Sequence, residues 1–598
     1  MKKILLSITF ALMGIVSGFA AKAYPGIVTV TQSDGTELNV RIYGDEHFNW
    51  LTTEDGVLLV QEGNNYYIAE TTSYGTLKAT SFIAHNANKR LPAEIKAIKK
   101  QDLSRFRSYA IQKASPAKAM GTGNSGVKYF PHSGSPKALV ILVEFSDTPF
   151  QSGEKAKNVF EHFLKGKAED NLPDGYEAYT GSYKNKYNLR NKGSVSDYFY
   201  DMSKGTYTPQ FDVVGPYKLN HTSLYYGKGD NDNTYALVSD ACKAADKDVD
   251  FSRYDADGDG MVDLVYLIYA GYPASMSGNP NDIWPKSGPG NDSFGTYDGK
   301  KVCRYGVHAE LNFGRELNQK NGFLLSGIGL FCHEFSHTLG LPDLYPTVDA
   351  SKVDNQNPEM WDLMDGGEYT YNGGYCPTPY SPWEMDAMGW ATPIELSDEK
   401  QTVTLKSYGK ERIAYKIKGE NNEYLLLQNI QKGGWWNGIA NVYNTGMLIW
   451  RIDYGTKDVN LFDNPNNNIG KPKVMIVPAD GYVISDYNHG DGKQWTDKQY
   501  KESLQADPFP GTTKRTELLS VTLNNSTLEK PIYNIKEENE VITFDYLDNI
   551  SAIQLPSVDE TDMTTKQIFS LDGRYLGNDA NKLTKGIYII GKKKVVIK

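Results

Sequence analysis

The run His333-Glu334-Phe335-Ser336-His337-Thr338-Leu339-Gly340-Leu341-Pro342-Asp343 constrains this chain more than any other segment. On an α-helix His333 and His337 lie one turn apart on a shared face, so both rings reach a single ion. Glu334 falls beside them, placed to hold a metal-bound water. Gly340 suits the left-handed residue that stops a helix, and Pro342 opposes continuation, so the chain turns and returns Asp343 as a third ligand. Three protein ligands and one open position are what a catalytic zinc requires. Leu325, Ile328, Phe331, Phe335 and Leu339 recur at three- and four-residue steps and predict an apolar face for that helix. Cys332 points off the metal face and reads as a small buried residue.

A Met follows in a glycine-rich turn, Trp361-Asp362-Leu363-Met364-Asp365-Gly366-Gly367. The zinc motif with Asp in the third position, plus this later Met-turn, resembles the metzincin clan of zinc peptidases. With Ser381-Pro382-Trp383-Glu384-Met385-Asp386-Ala387-Met388-Gly389-Trp390 added, residues from roughly 125 to 545 resemble the immune inhibitor A family of secreted metallopeptidases. The resemblance implies a zinc endopeptidase acting on extracellular proteins. Its zinc is held by His333, His337 and Asp343, and Glu334 is the general base on a zinc-bound water. Met364 supports the floor of the site. Glu384 is the rival third ligand, and Tyr369 or Tyr371 is the candidate for stabilising an oxyanion. The fold expected is multidomain: an α/β (α+β) zincin- or metzincin-like catalytic domain between an N-terminal β-rich prodomain and C-terminal β-sandwich domains.

Asp255, Asp257, Asp259 and Asp263 occupy positions 1, 3, 5 and 9 of an EF-hand-like loop, with Gly260 at the sharp turn and the Met261 carbonyl available. Position 12 is Tyr266, so the bidentate Glu is missing, and Leu264 to Gly271 reads as a strand. A structural calcium is expected, since four crowded carboxylates repel one another unless a cation neutralises them.

The chain opens with Lys2 and Lys3, an apolar run to about Phe19, and Ala21-Lys22-Ala23, the layout of a secretory signal over residues 1–23. That run is too short to prefer a membrane span, and no later stretch suits a transmembrane anchor. A net charge of -10 argues against nucleic acid as a partner and leaves protein or peptide as the natural substrate. Cys242, Cys303, Cys332 and Cys376 permit up to two disulfides whose pairing the sequence leaves open.

Residues 24–120 read as a β-rich propeptide and activation linker, with Gly26 to Tyr43 alternating apolar and polar residues. The pieces around Gly44 to Phe48 and Thr53 to Gly56 look like the N-terminal module of the same family. Asp45, Glu46 and His47 read first as exposed polar residues of a hairpin, with a block on the zinc in a latent form as the alternative, and cleavage near Gly121 to Gly126 would release the catalytic domain. Residues 121–395 make the catalytic domain and 396–548 a β-sandwich accessory domain, with strands at Glu423 to Gln428, Gly446 to Asp453 and Val541 to Phe544. Trp435 and Trp436 are expected to pack on the catalytic domain, with a ligand platform as the alternative. Related peptidases commonly have Glu where Gln428 stands. Residues 549–598, with Gly573-Arg574 and Lys585-Gly586-Ile587-Tyr588, resemble the C-terminal sorting domain of the type IX secretion system, which makes that machinery a partner and the protein secreted or cell-surface attached. Two alternatives from other classes are a non-catalytic metal-binding surface adhesin and a calcium-dependent carbohydrate-binding protein. An intact Glu334 opposes the first, and the second leaves the metal helix unexplained.

Overall fold

A computed structural model of the chain describes residues 21–45, 48–114, 129–167, 170–179, 190–227, 233–290, 294–302, 304–347, 357–457, 459–484, 495–549, 567–571, 573–579, 582–590 and 593–597. Most of the expected signal peptide, the cleavage linker, Glu46, His47 and Cys303 lie outside the described residues. The chain divides into two units, residues 1–548 and 549–598.

The larger unit begins with six antiparallel strands in sequential order, from Val28–Thr31 to Leu77–Ile83. Leu38, Val40 and Ile42 point inward from Glu37–Gly44 while the residues between them are more exposed, the period-two pattern of a sheet covered on one face. Ala274 and Trp284 belong to the same apolar cluster, so the sheet is docked on a distant part of the same unit. Two helices, Pro92–Ile98 and Leu103–Ala114, complete this module.

At the centre lies a five-stranded sheet ordered Lys286–Pro289, Arg304–Ala309, Val265–Tyr269, Lys137–Glu144, Gln210–Lys218. All pairs are parallel except the edge strand Lys286–Pro289, which runs antiparallel to its neighbour. Ala138, Val140 and Leu142 enter one apolar cluster while Leu139, Ile141 and Val143 enter another. A strand buried on both faces has no polar side to show, and this is why its sequence is an unbroken apolar run. Helix Val195–Met202 is started by a reciprocal cap between Ser194 and Asp197.

The helix Ile328–Leu339 is buried over its whole length against one face of that sheet. Phe331 stacks on Tyr266, and Phe335 packs edge-on to Phe130 and Phe211. Burying each phenyl ring contributes about 2 kcal/mol. Leu325 precedes the helix instead of joining its face. Gly340 ends it at φ 108, and its amide together with that of Leu341 returns to the last turn.

Beyond residue 395 a second five-stranded sheet includes Tyr424–Ile430 and Gly446–Ile452. Leu425, Leu427, Met447 and Ile449 face a three-stranded sheet, while Leu426, Leu448 and Trp450 face the cluster that contains the metal-motif helix. The two sheets share a core as a sandwich does, and the inner one is also walled by the catalytic region. Trp435 and Trp436 are buried in that common cluster, with the Trp435 indole donating to Asp201, so they are packing residues and not an exposed platform. Gln428 accepts from the Trp450 indole at 2.9 Å.

The smaller unit is a four-stranded antiparallel sheet built from Ile568–Ser570, Tyr575–Gly577, Gly586–Ile590 and Lys593–Ile597. No helix among the described residues is long and apolar enough to cross a membrane.

Candidate active site

Helix periodicity carries His333 and His337 to one face, where their Nε2 atoms stand 3.1 Å apart. Asp343 returns its Oδ1 to 3.3 Å from His333 Nε2 and 3.2 Å from His337 Nε2. His333 Nδ1 donates to the Leu363 carbonyl at 2.9 Å and His337 Nδ1 to the Leu341 carbonyl at 2.7 Å. Those bonds fix the tautomers and leave both Nε2 lone pairs facing inward, which is how ligating imidazoles are held. The three ligand atoms converge on a point that fits a tetrahedral divalent ion, and the buried Asp343 Oδ1 has no hydrogen-bond donor of its own. Burial drives the His333 imidazole below its ordinary pKa, against the pull of Asp343, and so favours the neutral form that binds metal.

Glu384, the rival ligand, is used elsewhere. One of its oxygens accepts from the Ser381 amide at 2.6 Å in a helix cap, and burial with Asp362 beside it pushes its carboxyl far above the usual range. Met364 is fully buried, in the turn whose Leu363 carbonyl accepts the hydrogen bond from His333 Nδ1. Glu334 is buried next to the cluster, and burial pushes its carboxyl up to about 8 against the opposing charge of His337. Glu368, invisible to motif reading, places its Oε2 3.6 Å from His333 Nδ1, and burial raises its carboxyl well above the ordinary value.

Residues Ala21 to Tyr24 run through the cleft. The Ala21 amide donates to Glu334 at 2.7 Å, the Trp284 indole to the Ala21 carbonyl at 2.8 Å, and the Tyr369 hydroxyl to the Lys22 carbonyl at 2.7 Å. Tyr369 therefore touches the segment occupying the cleft, whereas Tyr371 is 38% exposed. Of the three residues named as a possible block, Asp45 accepts from the Phe48 amide of its own hairpin, and Glu46 and His47 lie outside the described residues.

In the acidic loop Asp255, Asp257 and Asp263 bring carboxylate oxygens within 4.8 Å of one another. Asp259 instead accepts from the Met261 amide at 2.9 Å, and Lys300 pairs with Asp255 at 2.6 Å. Burial raises Asp263 to about 6, and the surrounding aspartates add to the rise. Cys242, Cys332 and Cys376 are buried free thiols.

A buried helix offering two imidazoles, a returning carboxylate and an adjacent acid inside a chain-filled cleft is the arrangement of a metallopeptidase catalytic domain. Residues 128–390 match the family model described as "Immune inhibitor A peptidase M6, catalytic domain", so this span is similar to the catalytic domain of that family. Similar proteins include "Immune inhibitor A" of Bacillus thuringiensis subsp. alesti, 27% identical over 311 residues that make up 44% of this chain and 42% of the relative. "Pre-pro-metalloprotease PrtV" of Vibrio cholerae serotype O1 is 24% identical over 282 residues, 41% of this chain and 29% of that protein. A "Putative secreted metallopeptidase" of Arthroderma benhamiae is 22% identical over 280 residues, 41% of this chain and 39% of that one. The match thus spans less than half the length of each of these curated relatives.

Proposed function

We propose that this protein is a secreted zinc-dependent endopeptidase of the metzincin type that hydrolyses peptide bonds in extracellular proteins. The observation that carries the reading is the convergence of His333, His337 and Asp343 beside a buried Glu334. Zinc bound there supplies a Lewis acid that polarises a carbonyl and makes water a stronger acid. Glu334 takes the proton of the attacking water and delivers it to the leaving amine. Its position supports both duties, since an amide nitrogen of the occupying segment already lies at hydrogen-bond distance from its carboxylate. Leu363 and Leu341 orient the two rings through their carbonyls, and the Trp284 and Tyr369 donors grip a peptide backbone on either side of one residue. Closing this cleft with apolar and aromatic walls excludes bulk water and strengthens each of these interactions.

The purified chain is expected to hold stoichiometric zinc. Wild type is expected to digest casein in a chelator-sensitive way, and Glu334→Ala to lose on the order of 10²–10⁴ of that activity while keeping its metal. Equal activity in the two proteins removes Glu334 as the base, and either exposes a contaminating protease or favours a metal-binding adhesin.

We further infer a structural calcium held by Asp255, Asp257 and Asp263, with Asp259 and the Met261 carbonyl joining once the ion displaces their present partners. The support is the crowding of carboxylates, which Lys300 neutralises only in part. Added calcium is expected to raise the thermal midpoint, and an unchanged midpoint dismisses the site. The tail from residue 549 fits the proposed role in secretion through its separateness as a unit.

A further inference from the structure

Beside the metal site the Met-turn carries a second, acidic pocket. Lys22 is wholly buried, and its ammonium lies 2.7 Å from Asp365 and 3.4 Å from Glu359. The pocket is built rather than incidental. Asn357 donates to both Glu359 and Asp365, the Glu359 amide donates to Asp365 at 2.7 Å, and the Tyr500 hydroxyl donates to Glu359 at 2.8 Å. Glu359 holds a left-handed backbone, φ 54, that residues with a β-carbon rarely adopt, so the surrounding fold maintains it at a cost. A β-carbon on Gly366 would stand 3.3 Å from the lysine ammonium, which makes that glycine part of the wall. Two buried carboxylates side by side repel each other unless a cation enters between them.

The backbone of the same segment is laid out as a substrate would be. The Ala21 nitrogen sits on Glu334, where a leaving amine collects its proton, and the next two carbonyl contacts run from Trp284 and Tyr369. We infer that the pocket of Asp365 and Glu359 selects a lysine or arginine side chain at the second residue after the cleaved bond of a protein substrate, and that Lys22 fills it in the chain that still carries residues 1–23. The inference rests on the peptidase reading above. Arginine fits as well as lysine, because its fork of donors can engage both carboxylates.

The test uses the full chain with Lys22→Glu, whose like charge expels the segment, and Lys22→Ala as a milder variant should the first fail to fold. Binding of labelled Ala-Lys-Ala-Tyr is measured by fluorescence anisotropy against the same peptide with norleucine in place of lysine, and cleavage sites are mapped in a peptide library. At least tenfold tighter binding of the lysine peptide is expected, with lysine or arginine enriched two residues after the cut. Asp365→Asn in the same background is expected to abolish the preference. Equal binding of the two peptides overturns the pocket. Selective binding without any cleavage that depends on Glu334 leaves the pocket standing and refutes the peptidase reading instead.

Discussion

Glu310, directly after the strand Arg304–Ala309, is a buried acid that no motif announces. It accepts from the Tyr179 hydroxyl at 2.6 Å and from the amides of Gln151 and Gly271 at 2.7 and 3.1 Å, tying three loops together above the sheet. Burial is the leading cause that raises its carboxyl to about 7, although these donors pull the other way. In the unfolded chain the same group titrates near 4.5, so between these values the folded state binds more protons. Its stabilising contribution is therefore complete below pH 4.5 and is lost as pH rises through about 7, a change of roughly 3 kcal/mol by linkage. Urea midpoints of wild type and Glu310→Gln between pH 4.5 and 7.5 are expected to differ in slope, with the variant flatter; parallel curves contradict the assignment. At this scale the candidate metal ligands were legible because their chemistry is written into adjacent positions. Glu310, Glu368 and Lys22 were not, since each acquires its role from residues far away in the chain.

The element that matters most is the helix Ile328–Leu339, and its close approach to the Met-turn depends on a missing side chain. A β-carbon at Gly329 would lie 2.0 Å from the Glu368 carbonyl oxygen, which the backbone there cannot yield easily. Gly329→Val is expected to destabilise the protein by about 3 kcal/mol and to loosen zinc as the Leu363 carbonyl moves off His333, read from the urea midpoint and metal content. A variant with unchanged midpoint and unchanged zinc would show that helix and turn are independent. Hydrophobic periodicity revealed this helix and the buried strand Lys137–Glu144 because both patterns are strong and local. The helices Pro92–Ile98 and Leu103–Ala114 escaped notice, the first being too short to show a helical period and the second interleaving its apolar residues with Arg105, Arg107 and Lys113. The carboxylate spacing of the acidic loop was readable, but the Lys300 ion pair comes from another strand and could not be read from the loop.

For the whole molecule, residues 1–548 form one unit whose regions share cores, and residues 549–598 form another. Deleting residues 549–598 is thus expected to leave the melting transition of the remainder unchanged while preventing its release from the cell, assayed by calorimetry and by fractionation. A lowered midpoint, or normal release, argues against a separate sorting unit. The sequence by itself determined the helix that carries the candidate metal ligands, its stop at Gly340, the candidate base and the β-rich flanks, because helix geometry and side-chain alternation act over a few neighbouring residues. Only the tertiary structure decided between Asp343 and Glu384 near the imidazoles, buried a sheet between sandwich and catalytic cores, and led Ala21 to Tyr24 into the cleft. Those outcomes depend on which distant surfaces bury each other and which buried charges find a partner, and neither is encoded at a fixed spacing along the chain.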